Sequence, residues 1–171
     1  TVAYYFRFAP EFSENTGLFF SKEKGKNAFV AFEPTDISRY PKDDREHVGW
    51  YWEPYEAGTA IWMTPYYNKN NDVNMISFVI PMYYQNEFFG VVGMDFDYTV
   101  LTDKVRDIKI YENGFAHLQL DGADICCDDE ALGSYSSAEY LQVSNELVNG
   151  MTLVLSASHE DIKQIRDEIS L

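Results

Sequence analysis

Residues 75–96 read MISFVIPMYYQNEFFGVVGMDF and carry the strongest fold signal in the chain. Two runs rich in β-branched and aromatic residues, 75–84 and 88–96, flank the polar residues 85–87, which is the pattern of an antiparallel β-hairpin. Glycines inside the second run indicate that another group approaches its backbone closely. We therefore predict two paired strands within a larger sheet.

The segments on either side of this hairpin predict two α+β modules in succession. Before it, strands are predicted at 2–8, 17–21, 28–33 and 59–63, with a helix at 43–52. After it come a helix at 98–108, strands at 114–120 and 123–127, a helix at 136–147, a strand at 151–158 and a helix at 159–170. Asn149-Gly150 is interpreted as the end of helix 136–147. The fold class is α+β, with an antiparallel sheet flanked by helices in each module.

The composition argues against several classes of function. The 171 residues carry a net charge of −15, whereas nucleic-acid binding needs clustered Lys and Arg. No run of 18 apolar residues occurs, so no segment is expected to cross a membrane, and the chain opens on a strand, so we interpret it as part of a longer protein. Cys126 and Cys127 are adjacent, and CxxC and HExxH patterns are missing, so no metal or cofactor is expected.

Four segments in order resemble the double Cache family of bacterial sensors. They are TDISRYPKDDREHVGWYWEPYEAG at 35–58, IWMTPYYN at 61–68, GVVGMDFDYTVL at 90–101 and IYENGFAHLQLDG at 110–122. The resemblance implies two tandem PAS-like modules: a membrane-distal one at 1–109, which holds the ligand, and a smaller proximal one at 110–171, which leads to a transmembrane helix. It also implies a long N-terminal helix that lies outside this chain.

The same resemblance points to candidate ligand-binding residues. In amino-acid-binding members the pocket motif reads R-x-W-Y, followed by a Tyr after a Pro and by an Asp near the end of the hairpin. Trp50 and Tyr51 match the W-Y pair, Tyr66 matches the later Tyr, and Asp95 matches the Asp. The Arg position is occupied by Val48, which is a departure from the motif.

This departure changes the expected ligand. Val48 cannot grip a carboxylate through the paired hydrogen bonds of an Arg, whereas Asp95 among aromatic side chains suits an ammonium group. We predict a ligand with a cationic nitrogen, such as an amine or a quaternary ammonium compound, and include Trp62 among its contacts. Alternatively, Arg45 or Arg7 replaces the missing Arg, and the ligand is an amino acid.

Structural roles compete with each of these assignments. Trp50 and Trp62 are also suited to core packing, as aromatic residues in β-rich modules usually are. Asp95 sits between two apolar residues at the end of a strand, which is an unfavourable place for a carboxylate without a function, although it could cap the following helix. His47 is expected to be solvated or locally bonded.

The resulting prediction is the extracytoplasmic sensor domain of a membrane-anchored signalling receptor that binds a small molecule and is not an enzyme. Family outputs include chemoreceptors, histidine kinases and diguanylate cyclases. The three His residues lie far apart without a nucleophile motif, so catalysis is not expected. A module that reads a protein partner without a ligand of its own remains the other alternative, and the full receptor could be a homodimer.

Overall fold

The computed structural model describes residues 1–13, 16–23, 25–68, 72–126 and 139–170. Its contacts divide the chain into two units, Thr1–Tyr98 and Thr99–Leu171. This division precedes the boundary at 109/110 that the resemblance implies. Each unit contains an antiparallel sheet with helices, so the α+β class with tandem PAS-like modules is confirmed.

The first unit is built on a sheet of seven described strands. They are β1 (Ala3–Phe8), β2 (Gly17–Lys22), β3 (Phe29–Phe32), β4 (Ile61–Trp62), β5 (Tyr66–Asn68), β6 (Val73–Tyr84) and β7 (Glu87–Asp97). The order is β3-β2-β1-β7-β6-β4, and β5 also pairs with β6. The predicted hairpin is confirmed: β6 and β7 pair along their lengths and join through Gln85 and Asn86, whose positive φ angles of 50° and 66° form the tight turn.

Helix α1 (Arg45–Ala57) packs on this sheet. It begins after Asp44, whose side chain accepts a hydrogen bond from a backbone N–H of the first turn, and it ends at Gly58 in the left-handed conformation, with φ 67°. Its buried face contributes to a core cluster with β6 and β7. The helix therefore covers the face of the sheet on which odd-numbered residues of β1 lie, because side chains alternate along a strand.

The second unit has a four-stranded sheet within the described residues. Its elements are α2 (Tyr98–Arg106), β8 (Phe115–Leu120), β9 (Ala123–Cys126), β10 (Tyr140–Val148), β11 (Met151–Ser158) and α3 (His159–Ile169). The strand order is β10-β11-β8-β9, and every pairing is antiparallel. The helices predicted at 98–108 and 159–170 are thus confirmed, with small shifts of their ends.

The helix predicted at 136–147 is wrong from residue 140 onwards. Those residues form the edge strand β10, which pairs with β11, while residues 136–138 lie outside the described ranges. Asn149 and Gly150 have φ angles of 48° and 80° and form the turn of this hairpin, not the end of a helix. An Asn-Gly pair is common both at the end of a helix and in a hairpin turn, and the regular pairing of residues 140–148 with β11 shows that this one is a hairpin turn.

Two further predictions concern the ends and cysteines of the chain. The first element of the structure is β1, which begins at Ala3, and no helix precedes it within the described residues. Cys126 is buried at the end of β9, and Cys127 lies outside the described residues. Across the ranges that the structure covers, none of the helices has the length and apolar character needed to span a bilayer.

Candidate ligand-binding site

A cavity of about 140 Å³ lies in the first unit beside α1. The side chains that give it chemical character come from four different elements. They are Tyr5 and Arg7 of β1, Trp50 of α1, Tyr66 of β5 and Asp95 of β7. These side chains supply the cavity with a carboxylate, a guanidinium, two phenol rings and an indole ring.

Asp95 is held in place by a short chain of hydroxyl groups. Its neighbour across the sheet, Ser77 of β6, donates a hydrogen bond to Oδ1 at 2.7 Å. The Tyr66 hydroxyl lies 3.1 Å from the same Ser77 Oγ. Because the Ser77 proton points to the carboxylate, Tyr66 must donate to Ser77. The chain fixes Oδ1 and leaves Oδ2 without a hydrogen bond from any described residue.

Burial controls the protonation of Asp95. The residue is 5% exposed, and this desolvation raises the pKa of its carboxyl group to about 6, against the opposing effect of the hydrogen bond from Ser77. A carboxylate with one hydrogen bond and no ion pair to a described residue is poorly compensated for its lost hydration. A cationic group in the cavity would compensate it and lower its pKa.

Tyr5 is a pocket residue that sequence reasoning missed. It lies opposite Gly93 in β7, where a Cβ atom would stand 2.2 Å from the Tyr5 ring, and its ring packs edge-on against Trp50 with centroids 5.0 Å apart. The glycine therefore makes room for the ring, as the predicted close approach requires. The Tyr5 hydroxyl is buried and has no hydrogen-bond partner within the described residues.

Only one of the two arginines proposed as substitutes reaches the cavity. Arg7 lines it and is 1% exposed, and burial lowers its pKa while Asp36 and Tyr51 act in the opposite direction. Arg45 instead pairs with Glu56 at 2.8 Å on the exposed side of α1. Arg7 therefore reaches the pocket from strand β1, whereas the Arg position of the motif, Val48 in this chain, lies on α1.

The remaining predicted site residues lie outside the cavity lining. Tyr51 is 1% exposed and packs in the core cluster with Val48 and the strands β6 and β7. Trp62 packs on Phe78 and Phe96, with centroid distances of 4.8 and 5.8 Å. The structure therefore brings Trp50, Tyr66 and Asp95 together, but not Tyr51 or Trp62.

Other titratable residues have local partners. His47 stacks on Tyr40 and contacts Asp44 through Nδ1 at 3.0 Å, which confirms the expected local bonding. In the second unit, His117 Nε2 lies 3.3 Å from Asp124 Oδ1. Within the ranges that the structure covers, no three His, Cys, Asp or Glu side chains converge in a way that could hold a metal ion.

Solved structures with the same fold include extracellular and ligand-binding domains of other proteins. The extracellular domain of a protein described as a histidine kinase, mmHK1S-Z3, is 13% identical with a TM-score of 0.64, over 98% of this chain and 76% of that one. The ligand-binding domain of the Pseudomonas fluorescens chemoreceptor CtaA with L-isoleucine is 17% identical with a TM-score of 0.60, over 95% and 71%. That of the Pseudomonas aeruginosa amino acid chemoreceptor PctB with L-arginine is 15% identical with a TM-score of 0.56, over 98% and 70%.

These likenesses establish the fold, and the family is established by sequence. No curated protein matches the chain. The family model of the methyl-accepting chemotaxis protein-like first PDC sensor domain matches residues 1–103, which include every residue of the cavity. Because this family is of the Cache/PDC type, the resemblance to Cache sensors is confirmed. The chain belongs to the family of methyl-accepting chemotaxis protein-like first PDC sensor domains.

Proposed function

We propose that this chain is the extracytoplasmic ligand-sensing region of a membrane-anchored bacterial receptor, and that its first unit binds a small molecule with a cationic nitrogen. Support comes from the family, which is a sensor domain of chemotaxis proteins, and from the extracellular and ligand-binding domains among its structural neighbours. We further propose that the chain is not an enzyme, because its family consists of sensors.

The observation that best supports the proposal is the burial of the Asp95 carboxylate with few hydrogen bonds. Its carboxylate is 5% exposed, lines the cavity and receives one hydrogen bond from the described residues. A protonated amine would supply both the missing charge and a hydrogen-bond donor to Oδ2, and such charge-assisted bonds are the strong ones. Trp50 and Tyr66 offer aromatic surface, which adds roughly 0.5–2 kcal/mol for each cation–π contact.

An amino acid is the second candidate, and the position of Arg7 favours it. Arg7 lines the same cavity as Asp95, so a carboxylate on the ligand could contact the guanidinium while its ammonium contacts Asp95. Structural neighbours are named as amino acid chemoreceptors or as complexes with amino acids. Under this reading Arg7 performs the role that Val48 cannot.

A thermal-shift screen of the purified domain tests both candidates. The panel contains primary amines, quaternary ammonium compounds and α-amino acids, and each hit is repeated on Asp95→Asn and Arg7→Lys. Shifts with amines that disappear only in Asp95→Asn support the first proposal. Shifts restricted to amino acids that disappear in both variants support the second.

A screen without any hit would contradict both ligand proposals. The remaining proposal would then be that the domain binds a protein partner and no small molecule. Trp62→Phe provides a matched control, because Trp62 lies outside the cavity lining and its ring packs on Phe78 and Phe96. This variant is expected to keep every ligand-induced shift.

A further inference from the structure

Polar groups of two residues that line the cavity limit which cationic nitrogen it can hold. Asp95 Oδ1 is already bonded to Ser77, and Oδ2 receives no hydrogen bond from a described residue. On the neighbouring strand β1, the Tyr5 hydroxyl is buried with no partner in the described part of the chain. The site therefore presents two separate acceptors to which no described residue donates a hydrogen bond.

Tyr5 cannot easily turn to another partner. Gly93 stands opposite it, and the 2.2 Å distance that a Cβ atom would have to the Tyr5 ring shows that the ring lies directly on the glycine backbone. On its other side the ring meets Trp50 edge-on at 5.0 Å. Trp50 is fixed in turn, because its Nε1 donates to the His47 carbonyl at 2.9 Å.

The Tyr5 hydroxyl and the Asp95 carboxylate do not bond to each other, although Tyr5 pairs with Gly93, two positions before Asp95 in β7. Burial raises the pKa of Tyr5 well above its ordinary value, and the charge of Asp95 raises it further. A buried hydroxyl left without a hydrogen bond costs about 1–3 kcal/mol. A ligand group that donates to both Tyr5 and Asp95 would remove this cost, whereas a group without N–H bonds would retain it.

We propose that Tyr5 is a ligand-binding residue, and that the cavity selects an ammonium with at least two N–H donors, a primary or secondary amine, over tertiary and quaternary ones. One N–H donates to Asp95 Oδ2 and another to the Tyr5 oxygen. This inference rests on the proposed function and narrows it, because the quaternary ammonium compounds included in the broader proposal are disfavoured.

A methylation series tests the inference by calorimetric titration. The probes are propylamine, N,N-dimethylpropylamine and propyltrimethylammonium, whose nitrogens carry three, one and no N–H bonds when charged. Tyr5→Phe removes the hydroxyl and keeps the ring in its place against Gly93. We expect this variant to bind propylamine about tenfold more weakly, the size of one charge-assisted hydrogen bond. Binding of the two methylated probes should change by less than about twofold.

Tyr4→Phe is the matched control. Tyr4 is the adjacent residue of the same strand, points to the opposite face and stacks on Phe20, so its variant should bind all probes as the wild type does. A steric preference for small amines would persist in Tyr5→Phe, because the ring keeps its shape. The selectivity between propylamine and its methylated forms must therefore decrease in that variant.

The outcomes separate this inference from the proposed function. If propylamine binds and the binding requires Asp95, but Tyr5→Phe binds it as tightly as the wild type, only the role of Tyr5 is overturned. If propyltrimethylammonium binds at least as tightly as propylamine to the wild type, the selectivity is overturned. If no amine binds, the proposed function fails, and the inference fails with it.

Discussion

Two buried carboxylates, one in each unit, show how differently a protein can treat the same side chain. Asp95 of the first unit and Asp161 of the second are 5% and 3% exposed. Asp161 accepts hydrogen bonds from the backbone N–H and the side-chain amide of Asn113, at 3.0 and 2.9 Å. Asp95 accepts one, from Ser77.

Their pKa values shift in opposite directions as a result. Burial raises the pKa of Asp161, but hydrogen bonds from Asn113 and Ser158 together outweigh it and lower the pKa below its ordinary value. Burial raises the pKa of Asp95 to about 6, since Ser77 alone opposes it. Asp161 thus connects the start of α3 to the segment before β8 as a structural group, whereas Asp95 is a buried acceptor without an ion pair to any described residue.

The largest expected contrast is in ligand binding. Asp95→Asn should weaken binding of a primary amine by about 100-fold or more, because removing one partner of a buried charge pair costs about 2–5 kcal/mol. Asp161→Asn should leave that affinity unchanged. Calorimetric titration of both variants measures this. Equal losses in the two variants would show that the carboxylates do not differ in this way.

The pH dependence of binding should follow Asp95. Amine binding requires the ionised carboxylate, which predominates above a pKa of about 6. Affinity should therefore be constant near neutral pH and about tenfold weaker at pH 5, where roughly a tenth of the free protein is ionised. The amine remains protonated throughout this range. An affinity that stays flat between pH 7 and pH 5 would contradict the raised pKa.

The stability of the unliganded domain should respond in opposite directions to the two substitutions. A raised pKa means that Asp95 contributes most when protonated and loses this contribution as pH rises through about 6. At pH 7.5, Asp95→Asn should raise the free energy of unfolding by about 1–2 kcal/mol. Asp161→Asn should lower it, because it removes an acceptor of two hydrogen bonds.

Urea denaturation at two pH values measures this contrast. The stability advantage of Asp95→Asn should shrink between pH 7.5 and pH 5, since the wild-type carboxyl group becomes neutral there. The lowered pKa of Asp161 predicts that its contribution persists at pH 5 and is lost only at more acidic pH. A destabilised Asp95→Asn variant at neutral pH would mean that the carboxylate is compensated within the fold.

The smallest expected effect concerns Ser77. Ser77→Ala removes the hydrogen bond to Asp95 Oδ1 and leaves the Tyr66 hydroxyl without its acceptor. The pKa of Asp95 should rise further, and amine affinity at pH 7 should fall by about fivefold, which corresponds to about 1 kcal/mol. Titration of this variant across pH 5–8 should show the loss of affinity beginning at a higher pH than in the wild type.

Of the two carboxylates, the sequence singled out only Asp95, because local patterns of apolar residues reveal it. The alternating apolar runs around residues 85–87 predict the hairpin, and a carboxylate between Met94 and Phe96 stands out at once. Asp161 does not stand out, because acidic residues are common in the first turn of a helix. Its partner Asn113 lies 48 positions away in the chain.

The composition of the pocket could be predicted only in part. Trp50 and Tyr51 are neighbours in sequence, but successive residues of a helix point about 100° apart, so one lines the cavity and the other enters the core. Tyr5 and Arg7 line the same cavity as Asp95 because β1 pairs with β7, and nothing in a single sequence specifies that pairing. Gly93 was the one sequence signal for Tyr5: a glycine within a strand indicates that another group approaches the backbone closely, but it does not identify that group.

A crystal structure of the domain with its tightest-binding primary amine would test the central claim most directly. We predict the ligand nitrogen in the cavity of the first unit, about 3 Å from Asp95 Oδ2, a normal distance for a charge-assisted hydrogen bond. Trp50 and Tyr66 should contact it. An amine bound elsewhere, or one whose nitrogen points away from Asp95, would contradict the assignment of this carboxylate as the cation-binding group.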